Sequence, residues 1–327
     1  MSASALSTDL YELTMLAGYH KAGLAPRATF DLFVRALPPT RKYLLAAGLD
    51  QALDFLSNLR FTADEIRYLR EVPALRHLDA SFFDECLPSF RFRGDVWAME
   101  EGTPVFAGEP ILSVEAALGE AQVVETALLA LITFQTSVAS RAARVVEAAA
   151  GRGVMEFGAR RAHGVEAGLL AARAAYLAGC ESTSYVEAGH RFDIPVSGTM
   201  AHSWVLAFPS EDVAFRQYSD TFPGSATLLL DTYDTVAAAH HVVASGLKPR
   251  AVRLDSGDLV DLSRQVRAIL DAGGLSATRI VVSGDLDEHR VRAIVEAGAP
   301  IDGFGVGTSL STSSDAPALS GVYKLVA

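Results

Sequence analysis

The sequence predicts an α/β protein in two parts: an N-terminal α+β domain over residues 1–150, then an α/β barrel domain over residues 151–310. Three observations carry this expectation. Up to residue 150, strand-like and helical stretches follow one another without a repeat. After Gly151-Arg152-Gly153, short β-branched runs alternate with helical ones at the spacing of βαβ units. Most of those runs end in polar clusters, as expected where parallel strands gather their C-terminal ends on one rim. There are about seven such runs against the eight of a regular barrel, so the barrel is expected to be irregular. A doubly wound sheet satisfies the same alternation and keeps the clusters on one rim.

In the first part, residues 7–23 read as a capped helix, with Ser7 or Thr8 as the N-cap and Asp9 and Glu12 in the acidic first turn. Tyr11 there reads as a half-buried helix residue. Residues 28–35 form a strand rich in aromatic and β-branched side chains, ended by Pro38-Pro39. Residues 44–56 and 62–70 have helical spacing, and Thr62 with Glu65 matches a capping box. Residues 90–99 and 110–116 read as strands around the turn at Glu101-Gly102. Residues 120–150 are apolar and Ala-rich, two helices meeting near Thr136.

In the second part, strands are expected at 154–157, 182–186, 195–197, 226–230, 251–254, 279–282 and 301–306. Helices follow at 165–177, after His202, and up to residues 244, 271 and 296.

Bulk properties narrow the partners. Half of the 327 residues are hydrophobic and a fifth are charged, which supplies a large core. A net charge of −11 argues against nucleic acid and anionic membrane surfaces, both of which reward basic patches. An anionic small substrate needs only a local group of arginines. The two cysteines, Cys86 and Cys180, form no CxxC and no metal spacing, so neither a disulfide framework nor a zinc site is expected. Residues 1–10 show no signal peptide, and no apolar run is long enough to span a bilayer, so a reducing cytoplasm is expected.

The clusters on the rim carry the chemistry. Gly198-Thr199-Met200-Ala201-His202-Ser203 puts one of the eight histidines where a strand turns into a helix. His202 there is a candidate general base, phosphate binder or nucleophile, and Asp231 is expected nearby to fix its tautomer. Asp231, Asp234, Asp255 and Asp258 form two D-x-x-D pairs. The first Asp of each pair ends its strand and can hold ribose hydroxyls, magnesium or a histidine N–H. The second is expected to cap the next helix. Arg160, Arg161 and Arg253 offer forks for phosphate or carboxylate. Gly284-Asp285 and Gly305-Val306-Gly307-Thr308 let backbone approach a phosphate in late barrel units, a sugar-phosphate signature, although glycine also suits tight turns.

These motifs resemble the nicotinate phosphoribosyltransferases nearly end to end. The resemblance rests on Thr8-Asp9-Leu10-Tyr11-Glu12-Leu13-Thr14-Met15, Phe157-Gly158-Ala159-Arg160-Arg161-Ala162-His163-Gly164, the His202 motif, Leu230-Asp231-Thr232-Tyr233-Asp234, Val252-Arg253-Leu254-Asp255-Ser256-Gly257-Asp258 and Gly303-Phe304-Gly305-Val306-Gly307-Thr308. It implies a type II phosphoribosyltransferase fold, an irregular α/β barrel whose N-terminal domain is completed by residues 311–327. It implies a homodimer with a shared site. The implied reaction joins nicotinate to phosphoribosyl pyrophosphate, giving nicotinate mononucleotide for NAD salvage, with Mg²⁺ on the substrate phosphates and ATP hydrolysis coupled.

By the same resemblance, ATP phosphorylates His202 and Asp231 orients it. Phe157 stacks on one face of the pyridine ring and Tyr11 of the partner subunit on the other. Arg160 and Arg253 serve the ring carboxylate and the phosphates, and Asp255 holds the ribose. Gly284, Asp285, Gly305 and Gly307 line the phosphate pocket. Ser184 fits the acid-using enzymes, because the amide-using relatives carry there an aspartate that would repel a carboxylate. There are two departures. Tyr185 stands where the family has Asn. The family also continues past Tyr323-Lys324-Leu325-Val326-Ala327 with a basic segment bearing a phosphate-binding lysine, which lies outside this sequence. Variants of the reading are another pyridine acid as substrate, or loss of ATP coupling. A phosphate-binding barrel lyase or isomerase would call for a lysine at a strand end, and none of the runs ends in one.

Overall fold

The computed structural model describes residues 4–327. The chain divides into two compact units: residues up to Ser140 together with Ala316–Ala327, and Arg141–Asp315. The boundary placed after residue 150 by sequence falls earlier, inside the long helix Glu125–Ala148, and the second boundary falls at Asp315.

The first unit is built on a four-stranded antiparallel sheet in the order Gly321–Leu325, Arg27–Val34, Pro110–Ala117, Asp95–Ala98. Alternation along Arg27–Val34 sends Ala28, Phe30, Leu32 and Val34 into the core. The edge strand Gly321–Leu325 is held by side chains as well as backbone. Tyr323 stacks on Phe30 at 4.8 Å between ring centroids, and its hydroxyl donates to the carbonyl of Ala121 at 2.9 Å.

Several local expectations are corrected here. The first helix is Leu10–Ala22 with Asp9 at its N-cap, not Ser7 or Thr8, and no side chain caps it. Thr8 instead donates its hydroxyl to Glu12. Glu12 is fully buried and also accepts the backbone N–H of Thr126 at 3.2 Å. That N–H belongs to the first turn of Glu125–Ala148 and has no partner within its own helix. The break in this region therefore falls at Val124, between Leu118–Val123 and Glu125–Ala148, and helix runs unbroken through Thr136. The Thr136 hydroxyl bonds to both backbone groups of Ala47, so it serves packing rather than a helix end.

The helix expected at 44–56 starts only at Leu49, because Leu44–Leu45 pairs as a short strand with Pro104–Val105. The strand expected at 90–99 is Asp95–Ala98, since Phe90 closes the preceding helical turn through its N–H to Leu87. The capping box at Thr62 and Glu65 is present in full.

The second unit wraps six parallel strands in the order Ser182–Thr183, Gly153–Glu156, Gly303–Val306, Arg279–Val282, Ala251–Leu254, Thr227–Leu229. The first strand in sequence pairs with both the second and the last, so the sheet curls as a barrel rather than lying as a doubly wound sheet. The run 195–197 contributes a single bridge, Thr183 to Val196, and 184–186 leaves the strand as Val186 opens the helix Val186–Phe192. Among the described residues no backbone pairing joins Val196 to Thr227–Leu229, so the barrel is open on that side. Helices Val165–Leu177, Thr235–Ala244, Leu259–Ala272 and Glu288–Glu296 cover the strands. Asp234 and Asp258 cap Thr235–Ala244 and Leu259–Ala272 with their carboxylates, as expected for the second Asp of each pair, and Asp287 caps Glu288–Glu296 in the same way. Arg141 and Arg144 are held at 2.8 and 2.5 Å from buried Glu288, and both also reach Asp315. Among the described residues no helix is long and apolar enough to cross a membrane.

Candidate active site

The site lies at the open side of the barrel, on the C-terminal ends of its strands. His202 is the first residue of the helix His202–Leu206. Its side chain is 41% exposed. Imidazole Nδ1 lies 3.2 Å from the Thr232 hydroxyl, and Nε2 lies 4.0 Å from Asp255 Oδ2. The carboxylate facing the histidine is thus Asp255, and Asp231 does not orient the ring as sequence reasoning expected. Asp231 is turned toward the next strand end, where its Oδ2 accepts the N–H of Asp255 at 3.0 Å and the hydroxyl of Ser256 at 2.5 Å. The reason is geometric. Asp231 lies two residues past Thr227–Leu229, the strand hydrogen-bonded to Ala251–Leu254, and so reaches the amide of Asp255 just past that neighbour's end.

Arg253 lies inside its strand, with its side chain only 13% exposed. Its guanidinium donates to the Thr199 hydroxyl and lies 4.0 Å from Asp255 Oδ1. Two side-chain contacts, Arg253 to Thr199 and His202 to Thr232, thereby span the side where backbone pairing stops. Burial lowers the Arg253 pKa, Asp255 and Asp231 oppose this, and the charge of Arg160 adds to the lowering. Guanidinium stays protonated even so. Arg160 is therefore close enough to be felt by Arg253, and it stands exposed on the 3-10 turn Ala159–Arg161. Tyr218, in helix Glu211–Thr221, also faces Arg253, and burial raises the pKa of its phenol.

Asp255 is fixed from a third strand as well, since the Ser283 hydroxyl donates to its Oδ1. Next to Ser283, Gly284 has φ +97°, and a Cβ there would sit 1.9 Å from the carbonyl oxygen of Asp255. Only glycine fits that approach. Asp285 follows with φ +45°. The loop's carbonyls are tied from outside: Arg290 donates to Gly284 and Asp285 at 3.3 and 3.0 Å, and the Ser309 hydroxyl to Leu286 at 2.7 Å.

Phe157 sits at the other edge of the rim. Its N–H bonds to Val306 at 2.8 Å, and its ring lies where a Cβ on Gly305 would be, 2.5 Å away. Gly305 is buried in the sheet opposite Met155, so packing under Phe157 accounts for its lack of a side chain. Gly307 stands at the N-cap of Thr308–Ser311, close to the Phe157 carbonyl. Ser184 is exposed and donates its backbone N–H to Glu156 at 2.9 Å. Tyr185 packs beside Leu169, Ala172 and Ala188, so the unexpected aromatic is absorbed by a small core against the helix Val165–Leu177.

Tyr11 belongs to the other unit. It is 44% exposed on helix Leu10–Ala22, and burial of its hydroxyl with a hydrogen bond to Glu125 pushes its pKa upward. Thr199, Thr232 and Ser256 lie within the quoted motifs and Ser283 directly precedes Gly284-Asp285, yet none of the four was named as a site residue. Each adjoins, or lies within three residues of, a residue that was chosen, and their shared signal is a hydroxyl at a strand end. Buried Glu156 was overlooked in the same way.

Comparison with known proteins identifies the family and its fold. Residues 6–133 match the model of the nicotinate phosphoribosyltransferase N-terminal domain, and residues 153–325 match that of the nicotinate phosphoribosyltransferase family. The chain belongs to the nicotinate phosphoribosyltransferase family. A nicotinate phosphoribosyltransferase of Mycobacterium tuberculosis is 48% identical over 332 residues, covering 99% of this chain and 70% of that protein. One from Bacillus subtilis is 43% identical over 330 residues, covering 98% of this chain and 66% of its own length. Among solved structures, human nicotinic acid phosphoribosyltransferase superposes with a TM-score of 0.86 at 32% identity, covering 98% of this chain and 74% of that one. The nicotinate-nucleotide pyrophosphorylase of Pyrococcus furiosus gives a TM-score of 0.81 at 25% identity, covering 98% and 75%. The family's fold, a parallel half-barrel with a separate N-terminal domain, is the fold described above.

Proposed function

We propose that this protein joins nicotinate to phosphoribosyl pyrophosphate, forming nicotinate mononucleotide and pyrophosphate in NAD salvage, with ATP hydrolysis coupled through phosphorylated His202. The carrying observation is that His202, Arg253 and Asp255 converge on one barrel rim in a chain matched by family models across both its units.

In the transfer step the pyridine nitrogen attacks C1 of the ribose. The bond from C1 to the pyrophosphate oxygen breaks, and its electron pair leaves with pyrophosphate. Phe157 stacks on the ring, and Tyr11 of a second subunit covers its other face in a homodimer. Arg160 and Arg253 neutralise the ring carboxylate and the leaving phosphates, and Asp255 holds the ribose. Gly284, Asp285, Gly305 and Gly307 border the phosphates. Ser184 leaves the carboxylate of nicotinate unopposed by negative charge.

Asp231 Oδ1 is buried without a hydrogen-bond partner, and Asp231 with Asp255 makes a hard-oxygen pair that fits Mg²⁺. The bound ion would add positive charge beside the substrate phosphates. In the ATP step the nucleophile is the Nε2 of His202. Nδ1 is engaged with Thr232, whereas Nε2 stands 4.0 Å from Asp255, beyond hydrogen-bond length. The bond from Nε2 to the γ-phosphorus forms as that phosphorus releases ADP. A cytoplasmic setting, with its ATP, belongs to the same proposal.

The test is an assay for the mononucleotide from nicotinate, phosphoribosyl pyrophosphate and Mg²⁺, with and without ATP, and with nicotinamide and other pyridine acids in parallel. Product from nicotinate, raised by ATP, is expected. A folded protein that makes none in either condition overturns the reading. His202→Ala should lose the ATP stimulation and keep basal turnover; an unchanged ATP response refutes the phosphohistidine.

A further inference from the structure

Glu156 ends the first barrel strand, Gly153–Glu156, and is 1% exposed. A carboxylate so deeply buried is costly unless its oxygens are satisfied. Both are. One accepts the backbone N–H of Gly158, and the other accepts the Thr183 hydroxyl at 2.6 Å. Thr183 relays the contact, because its hydroxyl oxygen accepts the N–H of Tyr185 at 3.0 Å. The main-chain carbonyl of Glu156 accepts the N–H of Ser184. One residue thus grips two turns. The first is Phe157-Gly158, which aims an aromatic ring at the rim. The second is Thr183-Ser184-Tyr185, which presents the exposed Ser184.

We propose that Glu156 is a positioning residue that sets the spacing between Phe157 and Ser184, and so the specificity of the pyridine subsite for its ring carboxylate. The proposal rests on the function proposed above and names the groups that hold its ring-binding end in register. Phe157 is restrained on both sides: its own N–H binds Val306, and the next N–H binds Glu156. With the second restraint gone, the turn rotates about the first. On the other strand, Thr183 is clamped through its backbone, its N–H to Pro195 and its carbonyl to the N–H of Ser197. Beyond the strand pairing and the Ser184 N–H to the Glu156 carbonyl, its side chain adds the contact that reaches the Glu156 carboxylate and, through it, the Phe157 turn. Burial raises the Glu156 pKa, and the hydrogen bonds from Thr183 and Gly158 oppose the rise.

The geometry makes Glu156→Gln and Thr183→Val complementary tests. The amide keeps one acceptor for Gly158 but must donate toward Thr183, and valine removes the hydroxyl while leaving the carboxylate in place. Each is expected to raise the KM for nicotinate about tenfold, the size of one charge-assisted hydrogen bond. The KM for phosphoribosyl pyrophosphate should stay within about twofold, and the preference for nicotinate over nicotinamide should fall in parallel. Thr183→Ser retains the hydroxyl and should restore wild-type values. Variants that lower the melting temperature but leave the nicotinate KM and the acid-over-amide preference within twofold overturn the positioning role. The wild type is assayed alongside: if it makes no mononucleotide, the function itself is wrong and the proposal falls with it. An active wild type with unmoved variants condemns the proposal alone.

Discussion

His202 and Asp255 face each other across the open side of the barrel, Nε2 to Oδ2 at 4.0 Å, while Nδ1 rests 3.2 Å from Thr232. Asp255 is itself held by three contacts: Ser283 on its Oδ1, Arg253 beside that oxygen, and Asp231 on its backbone N–H. The carboxylate is thus built into the site before any ligand arrives.

Removing its charge should therefore matter more than removing that of Asp231. Asp255→Asn keeps the shape and is expected to lower kcat about a hundredfold and blunt the ATP response. Asp231→Asn should act more weakly on ATP stimulation, because its carboxylate touches Asp255 and Ser256 rather than the histidine. Steady-state kinetics of both variants, with and without ATP, check this. The reverse ranking would return the orienting role to Asp231.

Gly284→Ala should be among the most damaging small substitutions in the chain. Its φ of +97° is hostile to any Cβ, and that Cβ would lie 1.9 Å from the Asp255 carbonyl. Backbone strain alone is worth about 1–3 kcal/mol. The expected outcome is a lower melting temperature together with a higher KM for phosphoribosyl pyrophosphate. Calorimetry and kinetics on one preparation decide it, and wild-type values in both contradict the close approach.

Glu12 predicts a pH dependence of stability. Burial raises its pKa, Glu125 adds to the rise, and hydrogen bonds from Thr126 and Thr8 oppose it. A carboxyl whose folded pKa lies above its unfolded value binds its proton more tightly when folded. Its contribution to stability is then fully present below the unfolded value and is lost as pH rises through the raised folded value. Glu12→Gln removes this titration. The melting temperature of the variant minus that of the wild type should climb from about pH 4 toward neutrality, starting near the ordinary carboxylate range. A difference that does not vary with pH contradicts the raised value.

What could be read from the sequence divides along physical lines. Strand and helix alternation after residue 150, the capping box at Thr62 and the caps at Asp234 and Asp258 are local, because the donor and acceptor lie within one turn of each other. The rim motifs were legible for the same reason, since a parallel βα unit must place its strand end and following turn on one face. The sequence by itself therefore determined the α/β class and the family, and nominated His202, Asp231, Arg253, Asp255, Phe157 and Gly284 as candidates for one site. It could not determine which of them touch. The turn of Asp231 toward Asp255, the approach of Asp255 to His202 and the bridging hydroxyls of Thr199, Thr232 and Ser283 depend on which strands are neighbours and where the barrel stays open. The same holds for Glu12 and Thr126, more than a hundred residues apart, whose contact moved the helix break from Thr136 to Val124. Such partners are chosen by tertiary packing, because a buried polar group takes whichever donor the fold brings within hydrogen-bond reach.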